Sequence, residues 1–268
     1  MGGSIMRDYK NIQFEQRGNI AVITLNRPNA ANGIDLALGN DLMHAAIECD
    51  ENHSIRAVVI TGAGKMFCAG GDLLSFNAQG DKLAYGLKEL TAYLHAALSR
   101  FARMDAPLIT AINGAAAGAG MSLAIAGDYV IAGVSAKFTM AYTAAGLAPD
   151  GSATFYLPRL VGLRRAQELI FTNRRLNAQE ALEWQLVNRV VADAELLPEA
   201  LKVAEQLANG PTRAFGTVKK LLLETYEQSL ETQMELEARG ISAMSNTIDG
   251  KEGITAFAEK RKPVFIGK

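Results

Sequence analysis

One pattern constrains the fold of this chain more than any other. Short β-branched runs alternate with stretches of helical periodicity through its first half. Residues 19–25 are rich in Ile, Val and Thr and read as a strand, which Asn26-Arg27-Pro28-Asn29 breaks as a turn. Asp35 stands where it can cap a helix whose apolar positions Leu38, Leu42 and Ala45/Ala46 repeat at helical spacing. Residues 57–61 form a buried strand ended by Gly62-Ala63-Gly64. Over 81–104, Leu83, Leu87, Leu90, Leu94, Leu98 and Phe101 make one stripe of a long amphipathic helix, stopped by Pro107. A strand at 108–112, a turn at Asn113-Gly114, a helix at 119–126 and a strand at 129–132 follow. Strands this short and apolar, separated by helices, predict an α/β fold with a mostly parallel sheet covered on both faces.

After Asp150 the strand signals fade. Asn177-Ala178-Gln179-Glu180 is a capping-box variant, and Pro211-Thr212 precedes a helical stretch reaching about Ser245. The expected organisation is a core over residues 6–198 and a helical appendage over 199–268, with a soft boundary near Glu199 and no low-complexity linker. Met1-Gly2-Gly3-Ser4 reads as an expression remnant and Met6 as a native start.

Composition narrows the function. The 268 residues hold 27 Lys+Arg against 28 Asp+Glu, so there is no positive excess to neutralise nucleic-acid phosphates. A hydrophobic content of 49% excludes disorder. Two cysteines, Cys49 and Cys68, make no disulfide scaffold, and three histidines without paired spacing predict no metal site. The most apolar stretch, 111–133, is interrupted by Asn113, Ser122 and Asp128; it reads as buried core, since a membrane helix needs about 20 predominantly apolar residues. The expectation is a soluble, cytoplasmic protein with neither nucleic acid nor membrane as partner.

Three segments are candidates for chemistry. In Phe67-Cys68-Ala69-Gly70-Gly71-Asp72 the paired glycines make either a tight turn or a backbone that approaches a ligand with its N–H groups exposed. Asn113-Gly114-Ala115-Ala116-Ala117-Gly118-Ala119-Gly120 runs from a strand end into a helix. Its small residues serve either close helix–sheet packing or access to free helix N–H groups that would stabilise an oxyanion. It lacks the ending of a P-loop. Gly146-Leu147-Ala148-Pro149-Asp150-Gly151 sets one carboxylate among apolar residues, as a turn or helix cap or as a proton-exchanging group. His95, beside Leu94 on the long helix, reads as structural or solvated. Arg164-Arg165 and Arg174-Arg175 read as surface or salt-bridge residues, Trp184 as core, and Cys68 as a small buried residue.

Taken in order, these motifs resemble the crotonase family, the enoyl-CoA hydratase/isomerase superfamily. The match runs through Leu25-Asn26-Arg27-Pro28, residues 67–73, Ala111-Ile112-Asn113-Gly114 with Gly118-Ala119-Gly120, residues 146–162 and Glu259-Lys260-Arg261-Lys262-Pro263, covering nearly the whole chain. The resemblance implies a spiral of strand-strand-helix turns with a C-terminal helical region that assembles trimers, often paired into hexamers. It implies an acyl-CoA thioester as substrate, so that coenzyme A enters with the substrate and no metal or redox cofactor is needed. It assigns oxyanion donors to the N–H groups of Gly71 and Ala119, the latter standing where glycine is usual. It places CoA contacts at Arg27, Ala69 and Asp72. Lys260 or Lys262, from this or a neighbouring subunit, would meet the nucleotide phosphates; a solvated tail is their other reading.

The sequence departs from the hydratase pattern. Hydratases of this family carry two glutamates where Ser122 and Tyr142 stand here. Asp150 matches the acid of the isomerase-like members. The resemblance therefore implies an enoyl-CoA isomerase with Asp150 as proton shuttle, moving a double bond from the 3- to the 2-position, with ring-opening of an aromatic-derived epoxide as a close variant. The alternatives are an enoyl-CoA hydratase, a non-catalytic acyl-CoA binder, or a 4-chlorobenzoyl-CoA-type dehalogenase. In the last, Asp150 would be the nucleophile and His95 the water activator, with Tyr142 where tryptophan is expected.

Overall fold

The computed structural model describes residues 7–268, so the readings of Met1-Gly2-Gly3-Ser4 and of Met6 lie outside the described residues. A hairpin of β1 (Ile12–Arg17) and β2 (Ile20–Leu25) leads into α1 (Leu36–Glu51). Three strand-strand-helix units follow. The first is β3 (Ala57–Gly62), β4 (Met66–Cys68), the short α2 (Leu73–Asn77) and the long α3 (Leu83–Arg103). The second is β5 (Leu108–Ile112), β6 (Ala115–Ala117) and α4 (Ala119–Ile125). The third is β7 (Tyr129–Gly133), β8 (Lys137–Thr139), α5 (Ala153–Val161) and α6 (Leu163–Thr172). Then come β9 (Leu176–Asn177), α7 (Ala178–Glu183), β10 (Arg189–Val191) and α8 (Leu196–Ala208), and the tail helices α9 (Thr212–Glu224), α10 (Leu230–Ser245) and α11 (Ile248–Ala258).

The first strand of each unit joins one sheet and the second joins another. The large sheet runs β1-β2-β3-β5-β7-β10 and the small one β4-β6-β8-β9. Only β1–β2 and β8–β9 are antiparallel. The turns after the parallel strands β4, β6 and β8 therefore emerge side by side, which is what gathers the site.

The large sheet is buried on both faces, as its apolar runs predict. Val22, Ala57, Val59, Ile109, Ala111 and Ile131 point to α8, against Leu196, Ala200, Ala204 and Ala208. Their neighbours Ile23, Val58, Ile60 and Ile112 point to the other cluster, shared with Leu38, Leu42, Leu94 and Phe101 of the packed pair α1 and α3. Alternation with period two along each strand accounts for both sets. Asp35 does cap α1, accepting from the Leu38 N–H at 2.9 Å, and Asn177 with Glu180 forms a full capping box on α7.

Several expectations need correction. The helical stretch from Thr212 to Ser245 is two helices, because Ser229 starts a new one by accepting from the Thr232 N–H; α11 then follows under a Thr247 cap. Glu199 lies inside α8, whose alanines pack on the sheet, so the helices beyond the sheet begin at α9. Trp184 is half-buried instead of core, with the guanidinium groups of Arg165 and Arg174 4.7 and 4.9 Å from its ring centroid. Among the described residues no helix is long and apolar enough to cross a membrane.

One buried cation ties the tail to the core. Lys219 of α9 is 8% exposed, and its Nζ reaches the Asp128 carboxylate at 2.8 Å and the carbonyls of Phe101 and Ala106 at 2.8 and 3.0 Å. Burial pulls its pKa down, opposed by Asp128. Removing one partner of such a pair strands the other, so Lys219→Ala should cost about 3 kcal/mol in chemical denaturation, with α9 loosening from the end of α3.

Candidate active site

The loops after β4, β6 and β8 meet at one cavity. β4 pairs β6 in parallel through Met66–Ala115 and Cys68–Ala116, and β6 pairs β8 through Ala116–Phe138. The chain leaving β4 turns at Gly70 and Gly71; the chain leaving β6 turns at Gly118 into α4. Gly70 has φ +96°, and a Cβ there would lie 2.7 Å from the Ala117 carbonyl and 3.3 Å from the Ala119 nitrogen. Only glycine allows the two turns to come this close.

The contact leaves two N–H groups unused. Ile34 and Gly71 form a parallel bridge in which the Ile34 N–H donates to Gly70 O at 2.7 Å and the Asp72 N–H donates to Ile34 O at 3.0 Å. That pattern turns Gly71's own N–H away from the bridge. Ala119 is the first residue of α4, so its N–H has no acceptor within the helix. Both residues line the same cavity of about 300 Å³. Two free backbone donors converging there, one at a helix N-terminus, suit a carbonyl oxygen that gains charge.

The cavity wall is otherwise mostly apolar, with Phe76, Leu87, Leu90, Leu94, Leu147 and Ala148. Asp150 is its carboxylate. The Tyr142 hydroxyl donates to Asp150 Oδ1 at 2.6 Å. Burial and the carboxylate beside it push the Tyr142 pKa well up, which keeps that donor protonated. Ser122, fully buried on α4, sits 2.9 Å from the Tyr142 hydroxyl and donates to the Asp150 carbonyl, also at 2.9 Å. Asp150 Oδ2 faces His95 Nε2 at 3.5 Å, and that nitrogen accepts from the Gly151 N–H at 3.2 Å. Ser122, Tyr142, Asp150 and His95 thus form one chain of polar contacts. Asp150 caps no helix with its side chain: α5 starts from Ser152.

Of the remaining sequence candidates, Ala69 alone lines the cavity. Arg27 holds the loop that supports Gly71. Its guanidinium pairs with Asp35 at 2.9 Å and Asp72 at 3.1 Å and also donates to Gly33 O. The Ser75 backbone N–H, then Arg27, hold the Asp72 carboxyl below the usual carboxylate range. Lys260 and Lys262 are exposed beyond α11 and do not line the cavity. Cys68 is fully buried and its thiol pKa is pushed up to about 12, so it is inert packing. Sequence reasoning missed Asn32. It is buried, with a left-handed backbone, and its side-chain amide donates to the carbonyls of Ala63, Met66 and Phe67 while its oxygen accepts from the Arg27 N–H. Its only sequence signal was the turn-prone Asn-Gly pair at Asn32-Gly33.

Comparison with known proteins gives the family. The family model described as enoyl-CoA hydratase/isomerase matches residues 15–268. The chain belongs to the enoyl-CoA hydratase/isomerase family. It is 38% identical to a 1,2-epoxyphenylacetyl-CoA isomerase of Escherichia coli (strain K12), over 93% of this chain and 95% of that protein. It is 35% identical to a 4-chlorobenzoyl coenzyme A dehalogenase-2 of an Arthrobacter species, over 93% and 91%. Among solved structures, an enoyl-CoA hydratase from Polaromonas sp. JS666 superposes with a TM-score of 0.90 at 34% identity, covering 95% of this chain and 99% of that one. The fold is thus that of the family, and the chain is an acyl-CoA enzyme of it.

The packing behind the two N–H groups is testable. A Cβ at Gly120 would stand 2.2 Å from Cys68 O, a backbone atom that cannot swing aside. Gly120→Ala must shift α4 and with it the Ala119 N–H. Loss of one such donor costs about 10²–10³ in rate, so kcat/KM for a turned-over acyl-CoA should fall at least that far.

Proposed function

We propose that this enzyme isomerises an enoyl-CoA through a thioester enolate, with Asp150 as the proton shuttle. The observation that carries the reading is a single carboxylate, held by Tyr142, in the same cavity as the free N–H groups of Gly71 and Ala119. For a 3-enoyl-CoA, Asp150 takes a proton from C2. The C–H electron pair flows into the thioester, whose oxygen is held by the two N–H groups. Asp150 then returns the proton at C4, and the double bond ends between C2 and C3. The mass does not change and no water is consumed.

Water activation has little support in this site. Ser122 and Tyr142, where the resemblance puts the two glutamates of hydratases, are hydroxyls hydrogen-bonded to Asp150. Neither offers a base. The 1,2-epoxyphenylacetyl-CoA isomerase relative supports the ring-opening variant, in which the same enolate-stabilising donors and the same carboxylate act on an aromatic acyl group. A cavity of about 300 Å³ accommodates a ring, since about 150 Å³ is enough to hold benzene.

The thioester's CoA would bring its adenine near Ala69 and its pantetheine past Arg27 and Asp72, with Lys260 or Lys262 toward the phosphates. Coenzyme A arrives with the substrate, and the proton transfer asks for no other cofactor. The tail supports a homotrimer or a dimer of trimers: α10 buries none of its residues within the chain, and Leu230, Met234, Ile241 and Phe257 are exposed.

A second reading is favoured by one observation. His95 stands beside Asp150, as a water activator would in a dehalogenase, and a 4-chlorobenzoyl coenzyme A dehalogenase is among the relatives. A three-substrate panel separates the readings. With trans-3-hexenoyl-CoA, crotonyl-CoA and 4-chlorobenzoyl-CoA, the expected result is conversion of the first without change of mass. Asp150→Asn should lower that rate by about 10²–10⁴. Comparable hydration of crotonyl-CoA would overturn the isomerase reading, and chloride release would establish the dehalogenase.

A further inference from the structure

Asp150 and His95, 3.5 Å apart, line two different cavities. The acyl cavity is lined by Asp150 and not by His95; a second cavity, of about 350 Å³, is lined by His95 and not by Asp150. Ser99, Arg103, Ser152, Glu224 and Glu227 share that second cavity with His95. It is polar at its rim, and Ser99, Arg103, Glu224 and Glu227 are exposed. The His95 side chain is 49% exposed, against 28% for Asp150.

We propose that His95 connects Asp150 to solvent, so that the hydrogen removed from the substrate exchanges with water before it is returned. The inference rests on the reading of Asp150 as proton shuttle. Its basis is the direction of the contacts around the carboxyl group. On the Oδ1 side the chain runs to Tyr142 and Ser122 and ends on the carbonyls of Asp150 and Gly118, at a fully buried residue. The hydroxyls on that side donate to carbonyls and to Asp150 itself, and the last of them, Ser122, is closed off from water. On the Oδ2 side it meets an imidazole nitrogen that is an acceptor, since His95 Nε2 takes the Gly151 N–H. An imidazole nitrogen has one lone pair, so a proton from Oδ2 takes the place of the Gly151 N–H contact and makes Nε2 a donor to the carboxylate.

The step balances. The C2–H bond breaks, the proton goes to Asp150 Oδ2 and the electron pair to the enolate. The new carboxylic acid O–H passes its proton to His95 Nε2 and forms an imidazolium ion. Exposed side chains reorient within about ps–ns, so the imidazolium exchanges its N–H hydrogens with water in the second cavity. It then returns a solvent-derived hydrogen to Asp150, which delivers it to the acyl chain. Asp150 ends ionised, His95 neutral, and one substrate hydrogen has been replaced by one from water.

The test is isomerisation of trans-3-hexenoyl-CoA in D₂O by wild type, His95→Gln and Asp150→Asn, with deuterium in the product read by mass spectrometry at low conversion. The reading is a ratio per product molecule, independent of how much enzyme is folded. Wild type should give largely monodeuterated product. His95→Gln should give largely undeuterated product, with turnover falling less than the deuterium content. Equal deuterium from wild type and His95→Gln, or none from wild type, overturns the relay while leaving Asp150 as shuttle. Turnover by Asp150→Asn at the wild-type rate, or none by wild type, overturns the shuttle and the relay with it.

Discussion

The close approach of two glycine turns is the contact on which the site depends. Gly70 rests against the backbone of Ala117 and Ala119, and Gly120 against Cys68 O. At the outer corners of the same units, a Cβ on Gly62 would meet Met66 O at 2.5 Å, and one on Gly114 would meet Lys65 O at 2.0 Å. These are backbone-on-backbone contacts, so no side-chain rearrangement relieves them. Together they hold β4 and β6 at the spacing that sets the Gly71 and Ala119 N–H groups on one cavity. Donors fixed by backbone packing cost no reorganisation when charge develops on a substrate oxygen.

The acid is held by a different device. The turn carrying Asp150 lies on α4, where a Cβ on Gly151 would come within 3.1 Å of the Ser122 Cβ. Ser122 and Tyr142 fasten it with hydroxyls. A carboxylate in place of the Tyr142 hydroxyl would face the Asp150 carboxylate across a hydrogen-bond distance, and two like charges so near cannot both ionise near neutral pH. The hydroxyl pair therefore favours a site with one base, and the apolar walls keep water from competing with it.

The large sheet and its helices are legible in the sequence because each buries a full face, which writes its period into the residues. The small sheet is not. β4, β6, β8 and β9 are two or three residues long, too short for a period, and β6 is three alanines. β1 is an edge strand whose outward Gln13, Glu15 and Arg17 hide it. The break between α9 and α10 carries neither Gly nor Pro, only the Ser229 cap. At the site, Gly71, Ala119 and Asp150 stand in turn motifs that signal themselves. The meeting of Asp150 with His95, Tyr142 and Ser122 is set by how α3, α4 and the loop after β8 stack, and no local pattern carries that. Nor does the Asn32 network, whose partners lie in the β3–β4 corner.

The most direct test of the account is a crystal structure of the Asp150→Asn protein with unreacted trans-3-hexenoyl-CoA. The thioester oxygen should lie about 2.7–3.1 Å from both the Gly71 and Ala119 nitrogens, with C2 and C4 of the acyl chain over residue 150. A thioester oxygen bound away from either nitrogen, or an acyl chain lying outside the cavity of Leu90 and Leu94, would contradict it.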